Sequence, residues 1–157
     1  MRLTTYTDYA LRSLMYLAVN RDRLVTIQDI ASLHSISKNH LTKVVHHLGQ
    51  LGLVATIRGR NGGLKLGREP ADINIGAVVR QTETDFHMAE CFHRENNRCV
   101  YASACVLEDA LSQATAAYLT VLDGVTLEHL VRKTHPRAEA VVAFQPVRLV
   151  PKVSLAG

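Results

Sequence analysis

The chain contains no tryptophan, and only eight of its 157 residues are Phe or Tyr. A core built from it therefore has to be aliphatic, and nearly half of the residues are apolar, which favours a helical globular protein over a disordered one. No run approaches the roughly 18 consecutive apolar residues that a membrane span needs. The opening "MRLTTYTDYA" lacks the apolar stretch of a signal peptide, so a cytoplasmic location with no membrane partner is expected. No nucleophile, base and orienting group fall into a set, and there is neither a glycine-rich phosphate loop nor a catalytic carboxylate pair. An enzyme is not expected. Proline is scarce too: three of the four lie beyond His135, in "HPRAEAVVAFQPVRLVPKVSLAG", which has no sustained period and reads as a flexible C-terminal tail over residues 134–157.

Cysteine is the most informative scarcity. All three, Cys91, Cys99 and Cys105, fall in "AECFHRENNRCVYASACVLE" at C-x7-C-x5-C spacing. Three thiols cannot pair off completely, and a reducing compartment disfavours structural disulfides, so metal binding or redox sensing is the natural reading. Thiolates are soft ligands that suit iron-sulfur clusters, Zn(II) or Cu(I). A zinc site would be completed as Cys3His by His87 or His93, although structural zinc sites usually contain a shorter C-x2-4-C knuckle. A thiol sensor that forms a disulfide between two of the three is a further alternative.

Positive charge is concentrated at the front. Residues 1–70 carry ten Lys or Arg against four Asp or Glu, a balance of +6, whereas residues 71–157 carry eight against ten, a balance of −2. A basic half points to a polyanion. Within it, "TDYALRSLMYLAVN" sets Tyr6, Tyr9, Leu14 and Leu17 near helical spacing, with Thr5 or Thr7 as cap. "TIQDIASLHSI" opens with Thr26 and Asp29 in a capping-box spacing. "SISKNHLTKVVHHLGQLGLV" offers Ser37 as N-cap, a stripe of Leu41, Val44, Val45 and Leu48, and Gly52 as the stop. "LVATIRGRNGGLKLG" then alternates around "GRNGG", where glycines and Asn61 can adopt positive φ in a tight reversal.

A helix, a helix-turn-helix and a hairpin make up a winged helix-turn-helix. The expected fold is thus mainly α with a small β-hairpin, with a DNA-binding domain over residues 1–70. Ser37, Lys38, Asn39, His40, Thr42 and Lys43 fall on the exposed front of the third helix, where a recognition helix meets the major groove. Arg58 and Arg60 bracket Gly59 at the wing tip, with Lys65 on the return strand, and a narrow minor groove attracts arginine. His34, His40, His46 and His47 read as surface or satisfied core residues, because no carboxylate or thiol stands at ligand spacing from them.

Residues 71–133 follow as a connecting helix over "NIGAVVRQTE", the cysteine loop, and a long amphipathic helix over "ACVLEDALSQATAAYLTVLDG". Val106, Ala110, Leu111, Ala114, Ala117, Tyr118 and Leu122 recur there at three- and four-residue steps, a face suited to homodimerisation. "TLEHLVRK" adds a short final helix starting at Thr126.

Together, "LTTYTDYALRSLMYLA", "SISKNHLTKVVHHLGQLGLV", "IRGRNGGLKLG", "INIGAVVR" and "LDGVTLEHLV" resemble the NsrR-like nitric-oxide-sensing repressors, a branch of the winged-helix regulators that also includes the iron-sulfur regulator IscR. The resemblance spans roughly residues 1–133. It implies a homodimer on double-stranded palindromic operator DNA, a 2Fe-2S or 4Fe-4S cluster on Cys91, Cys99 and Cys105, and nitric oxide as the ligand that relieves repression of nitric-oxide detoxification genes. IscR-like members place a histidine three positions after the last cysteine, where this chain has Glu108. In NsrR-like members an aspartate from the first helix of the opposite subunit can be the fourth ligand, and Asp8 stands in the matching "YTDYALR". The first gap, "FHRENNR", is longer than is usual in the family and introduces His93.

Overall fold

The computed structural model describes residues 2–92, 97–100 and 105–133. The tail expected over 134–157 lies outside the described residues, and so does His93. The first helix, α1 (Thr5–Val19), is capped by Thr4, not by Thr5 or Thr7: the Thr4 side chain accepts from the Thr7 N–H at 3.2 Å. Thr4 can do this because its backbone is extended while that of Thr5 is already helical. The centre of the buried face runs through Thr7, Ala10, Leu14 and Leu17, and Tyr6 and Tyr9 flank it half-buried. Small residues at the centre let neighbouring helices approach closely, which leaves no room there for the two rings.

Helix α2 (Ile27–His34) begins with the expected capping box, Thr26 and Asp29 each bonding the other's backbone N–H. It ends at Ser35, whose φ of 54° is the left-handed turn between the two helices. Helix α3 (Lys38–Gln50) buries Leu41, Val44, Val45 and Leu48 and stops ahead of Gly52, at φ 68°.

The wing is β1 (Val54–Ile57) paired antiparallel with β2 (Gly63–Leu66), Val54 opposite Leu66 and Ile57 opposite Gly63. At its tip the positive φ is taken by Gly59 at 112° and not by Asn61, because the reversal closes with the Gly62 N–H donating to the Gly59 carbonyl at 3.0 Å. A third segment pins the wing down: Val25 and Leu64 exchange backbone hydrogen bonds of 3.0 and 2.7 Å. Gly63 permits that approach, since a Cβ there would stand 3.0 Å from the Val25 carbonyl oxygen.

The core does not end at residue 70. A short 3-10 turn (Pro70–Asp72) leads into α4 (Ile75–Thr82), which buries Ile75, Val78 and Val79 in the cluster formed by α1 to α3. The chain passes a second 3-10 turn (Glu90–Phe92) and α5 (Val106–Asp123), then returns as α6 (Leu127–Lys133), packed on α1 with Leu127 fully buried. A winged core needs that last helix because α1 is apolar on the side α6 covers, and full burial of one Leu contributes about 1.5–3 kcal/mol. The buried hydroxyls of Ser13 and Thr82 are satisfied locally. Ser13 donates to the Tyr9 carbonyl at 2.7 Å and Thr82 to that of Val78 at 2.9 Å.

Helix α5 differs from the rest. None of its residues is buried, and Val106, Leu107 and Val121 are 80, 63 and 68% exposed. Among the described residues no helix is long and apolar enough to cross a membrane.

Candidate DNA-reading surface and cysteine site

Ser37, Lys38, Asn39, His40, Thr42 and Lys43 are all exposed on the front of α3. Ser37 occupies the N-cap but makes no side-chain cap bond, and the first turn carries no acidic residue, so the amide end of the helix is open to an anion. Thr42 is the exception in chemistry. Its hydroxyl donates to the Lys38 carbonyl at 2.9 Å, which directs its proton along its own helix and leaves only lone pairs facing outward. Arg58 and Arg60 are exposed at the wing tip and Lys65 on β2, and none of the three forms an ion pair among the described residues. The two positive elements thus lie on α3 and the wing, which share one core through Leu41, Leu48, Val54 and Leu64.

The recognition helix is tied to α1 by contacts that no local pattern announces. Tyr6 Oη lies 3.1 Å from His47 Nδ1 and 3.4 Å from the Lys43 carbonyl oxygen, with the two rings 5.9 Å apart. Burial raises the Tyr6 phenol above its ordinary value. His47 is therefore the satisfied histidine the sequence suggests, and His40 and His46 are exposed. His34 departs from that expectation: its ring meets Tyr16 edge-on at 6.3 Å and its buried Nε2 has no hydrogen-bond partner among the described residues. Burial lowers its pKa, Arg12 lowers it further, and Asp8 opposes both. Asp8 itself is half-buried on α1 and paired with Arg12 at 3.0 Å, one turn ahead.

The three cysteines are free and half-buried. Cys91 lies in the 3-10 turn Glu90–Phe92, and Cys105 is the N-cap of α5. Glu90 Oε1 accepts the Arg98 N–H at 3.0 Å, and Asn97 Oδ1 accepts the Cys99 N–H at 2.9 Å, so the limb carrying Cys91 is bonded to the limb carrying Cys99. The Cys91 thiol is pushed up first by burial and then by the Glu108 carboxylate, with smaller contributions from Cys105 and Cys99. Cys91 therefore senses both of the other thiols. Among the described residues, however, no three Cys, His, Asp or Glu groups converge closely enough to hold a metal ion. The two observations are compatible, because charges act over about 10 Å while a sulfur ligand stands about 2.3 Å from its metal. The donor set of three thiols fits a thiophilic centre, and among the described residues no fourth donor closes the cage. His87, the zinc-reading candidate inside the described residues, instead stacks near Phe92 at 6.2 Å and lies beside Asp85 at 3.9 Å.

At the far end of α5 the junction with the winged core is dense. Arg80 grips both oxygens of Asp123, at 2.5 and 2.7 Å, and the Asn74 amide donates to the Asp123 carbonyl at 2.7 Å. Arg80 holds the Asp123 carboxyl below its ordinary range.

The family description "Iron-dependent Transcriptional regulator", under the name Rrf2, matches residues 3–133. The chain belongs to the Rrf2 family. Among its relatives, the HTH-type transcriptional regulator NsrR of Bacillus subtilis is 56% identical over 133 residues, covering 84% of this chain and 91% of that one. The NsrR of Bacillus licheniformis is 54% identical over 132 residues, covering 83% and 92%. Among solved structures, CymR, the global cysteine regulator of B. subtilis, aligns with a TM-score of 0.64 at 28% identity over 85% of this chain and 98% of that chain. The IscR of T. potens aligns with a TM-score of 0.68 at 24% identity over 85% and 88%, a likeness of fold. This Rrf2 chain is accordingly a winged-helix transcriptional regulator and not an enzyme, as the sequence suggested.

Proposed function

We propose that this Rrf2 regulator is a homodimeric repressor that binds palindromic operator DNA, holds an iron-sulfur cluster on Cys91, Cys99 and Cys105 with the partner subunit's Asp8 as fourth ligand, and releases nitric-oxide detoxification genes when nitric oxide arrives. The observation that carries the reading is the placement of all three free, half-buried thiols, Cys91 and Cys99 on limbs bonded through Glu90 and Arg98 and Cys105 at the head of a helix with no buried residue. A helix with no buried residue and with Val106, Leu107 and Val121 exposed suits a second copy of the chain, and a set of three thiols suits a fourth donor from that copy. Curated relatives named NsrR, at 54–56% identity over most of the chain, favour the same reading.

When bound, such a cluster supplies iron whose protein ligands nitric oxide displaces. The protein's own part is geometric. Cys105 is the N-cap of α5, so holding the thiols together fixes the start of that helix, while the Asp8 carboxylate has to leave Arg12 to reach across. α1 also bonds α3 through Tyr6, so a subunit gripped at Asp8 presents its recognition helix at a set distance from the other. The bound dimer is then the operator-competent state, and loss of the grip shifts the population away from it.

Single Cys91→Ala, Cys99→Ala and Cys105→Ala variants, purified without oxygen, test the reading through iron, acid-labile sulfide and zinc content beside operator affinity. Loss of iron, sulfide and operator binding together is expected in each. Full iron in all three variants, or zinc in place of iron in the wild type, refutes it.

A further inference from the structure

Glu83 lies outside every group of residues assigned so far. It is the C-cap residue of α4, the last position before the limb that carries Cys91. Its Oε1 accepts two hydrogen bonds from one residue 79 positions away, the Thr4 N–H at 2.8 Å and the Thr4 hydroxyl at 3.0 Å. Thr4 is the N-cap of α1, and its carbonyl accepts the Asp8 N–H at 3.0 Å. Two backbone bonds and one carboxylate thus join the base of a subunit's cysteine loop to the residue proposed to ligate in the other subunit. The carboxylate is also enclosed: Glu83 is half-buried in a cleft with Arg2, Phe86 and Tyr118, and after burial itself its charge is what raises the Tyr118 phenol. A charged acceptor of two donors in a partly enclosed place makes a stronger bond than a surface contact.

We propose that Glu83 is a positioning residue that makes the two clusters of one dimer depend on each other. This rests on the cross-subunit ligation proposed above. Each Asp8 serves the partner's site, but its helix is capped through Glu83 to the base of its own subunit's loop. Assembly of one site therefore orders the loop base, the Thr4 cap and the Asp8 that the other site uses, and loss at one site loosens the other. Coupling of this kind is reciprocal by linkage. Glutamine keeps the acceptor oxygen and loses the charge, so it preserves the clasp, whereas alanine removes it.

Native mass spectrometry of dimers reconstituted to half their iron capacity counts species with no, one or two clusters. Independent sites give about half of all dimers with a single cluster, and coupled sites give fewer. The expected result is a deficit of singly loaded dimers in wild type and Glu83→Gln, with the independent distribution in Glu83→Ala. Hydrogen exchange on the metal-free protein gives a second readout, the Asp8 amide exchanging about fivefold faster in Glu83→Ala but not in Glu83→Gln, as for loss of a helix cap. An independent distribution in the wild type, or wild-type behaviour of Glu83→Ala in both measurements, overturns the proposal. So does failure of Glu83→Gln to restore the wild-type pattern, which would make the charge and not the clasp the operative feature. Asp8→Ala separates the two layers. If it keeps the wild-type distribution, cross-subunit ligation itself is wrong; if it becomes independent while Glu83→Ala does not, only the clasp fails.

Discussion

Replacing Arg58 and Arg60 together by alanine isolates the contribution of the wing. Both side chains are exposed at the hairpin tip and form no ion pair among the described residues, so their removal breaks nothing inside the fold. Each phosphate contact contributes about 0.9 to the slope of log affinity against log salt, so a protomer that loses two contacts flattens by about 1.8. Between about 50 and 200 mM salt that difference is roughly tenfold per wing and roughly a hundredfold for two wings. At fixed salt the affinity falls by a few kcal/mol, on the order of 1–3 for each good groove contact. Fluorescence anisotropy on operator and unrelated duplexes across a salt series measures both quantities. An equal loss on both duplexes assigns the arginines to phosphates, and a larger loss on the operator assigns them to groove reading. Unchanged slope and affinity on both duplexes would refute a role for the wing and place recognition on α3 alone.

Two further perturbations address how α5 is fixed to the winged core. Leu127 is fully buried, so Leu127→Ala is expected to cost about 3–5 kcal/mol and to lower the melting temperature by roughly 10 °C, measured by thermal denaturation; an unchanged midpoint would remove α6 from the core. Asp123 titrates below its ordinary value near 3.9 because Arg80 bonds its charged form. The stability it contributes is present above the unfolded value and is lost as pH falls through the folded one, so the difference between wild type and Asp123→Asn in urea unfolding should shrink below about pH 4, and a difference independent of pH there would contradict the assignment.

Much of the winged half was legible because its signals are local. Thr26 and Asp29 stand three residues apart and form the capping box they spell, and Leu41, Val44, Val45 and Leu48 form the stripe that is buried. The finer detail is local as well. Tyr6 and Tyr9 pack against the core at the helical spacing the sequence shows, but they flank a centre held by Thr7 and Ala10, which apolar periodicity alone does not single out. Of the glycines and Asn61 that can take a positive φ at the wing tip, it is Gly59 that takes it. The long-range ties had no signal of their own: Glu83 and Thr4 are 79 residues apart, Arg80 and Asp123 are 43 apart, and Tyr6 and His47 are 41 apart. Each pair has common surface residue types, and only the packing of α1 against α3 and α4, and of α4 against α5, selects the partner.

That packing also gives the proposed signal a direction of travel. Helix α5 has 18 residues, a length of about 27 Å at 1.5 Å per residue. Its head is Cys105, in the thiol group, and its foot is held by Arg80 and Asn74 before the chain enters the core at Leu127. Between them the helix has no buried residue, although Thr115 bonds Met88 and Tyr118 lines the Glu83 cleft, so its position depends also on what covers its exposed apolar side and what holds its head. On the proposed function both constraints come from the dimer, one from the partner's α5 and one from the ligand set. Removing the second leaves the foot clamp intact, so the winged cores stay folded and lose only their mutual spacing. Loss of the cluster should accordingly abolish operator selectivity while non-specific DNA affinity, which depends on the exposed cations of each separate wing and recognition helix, persists.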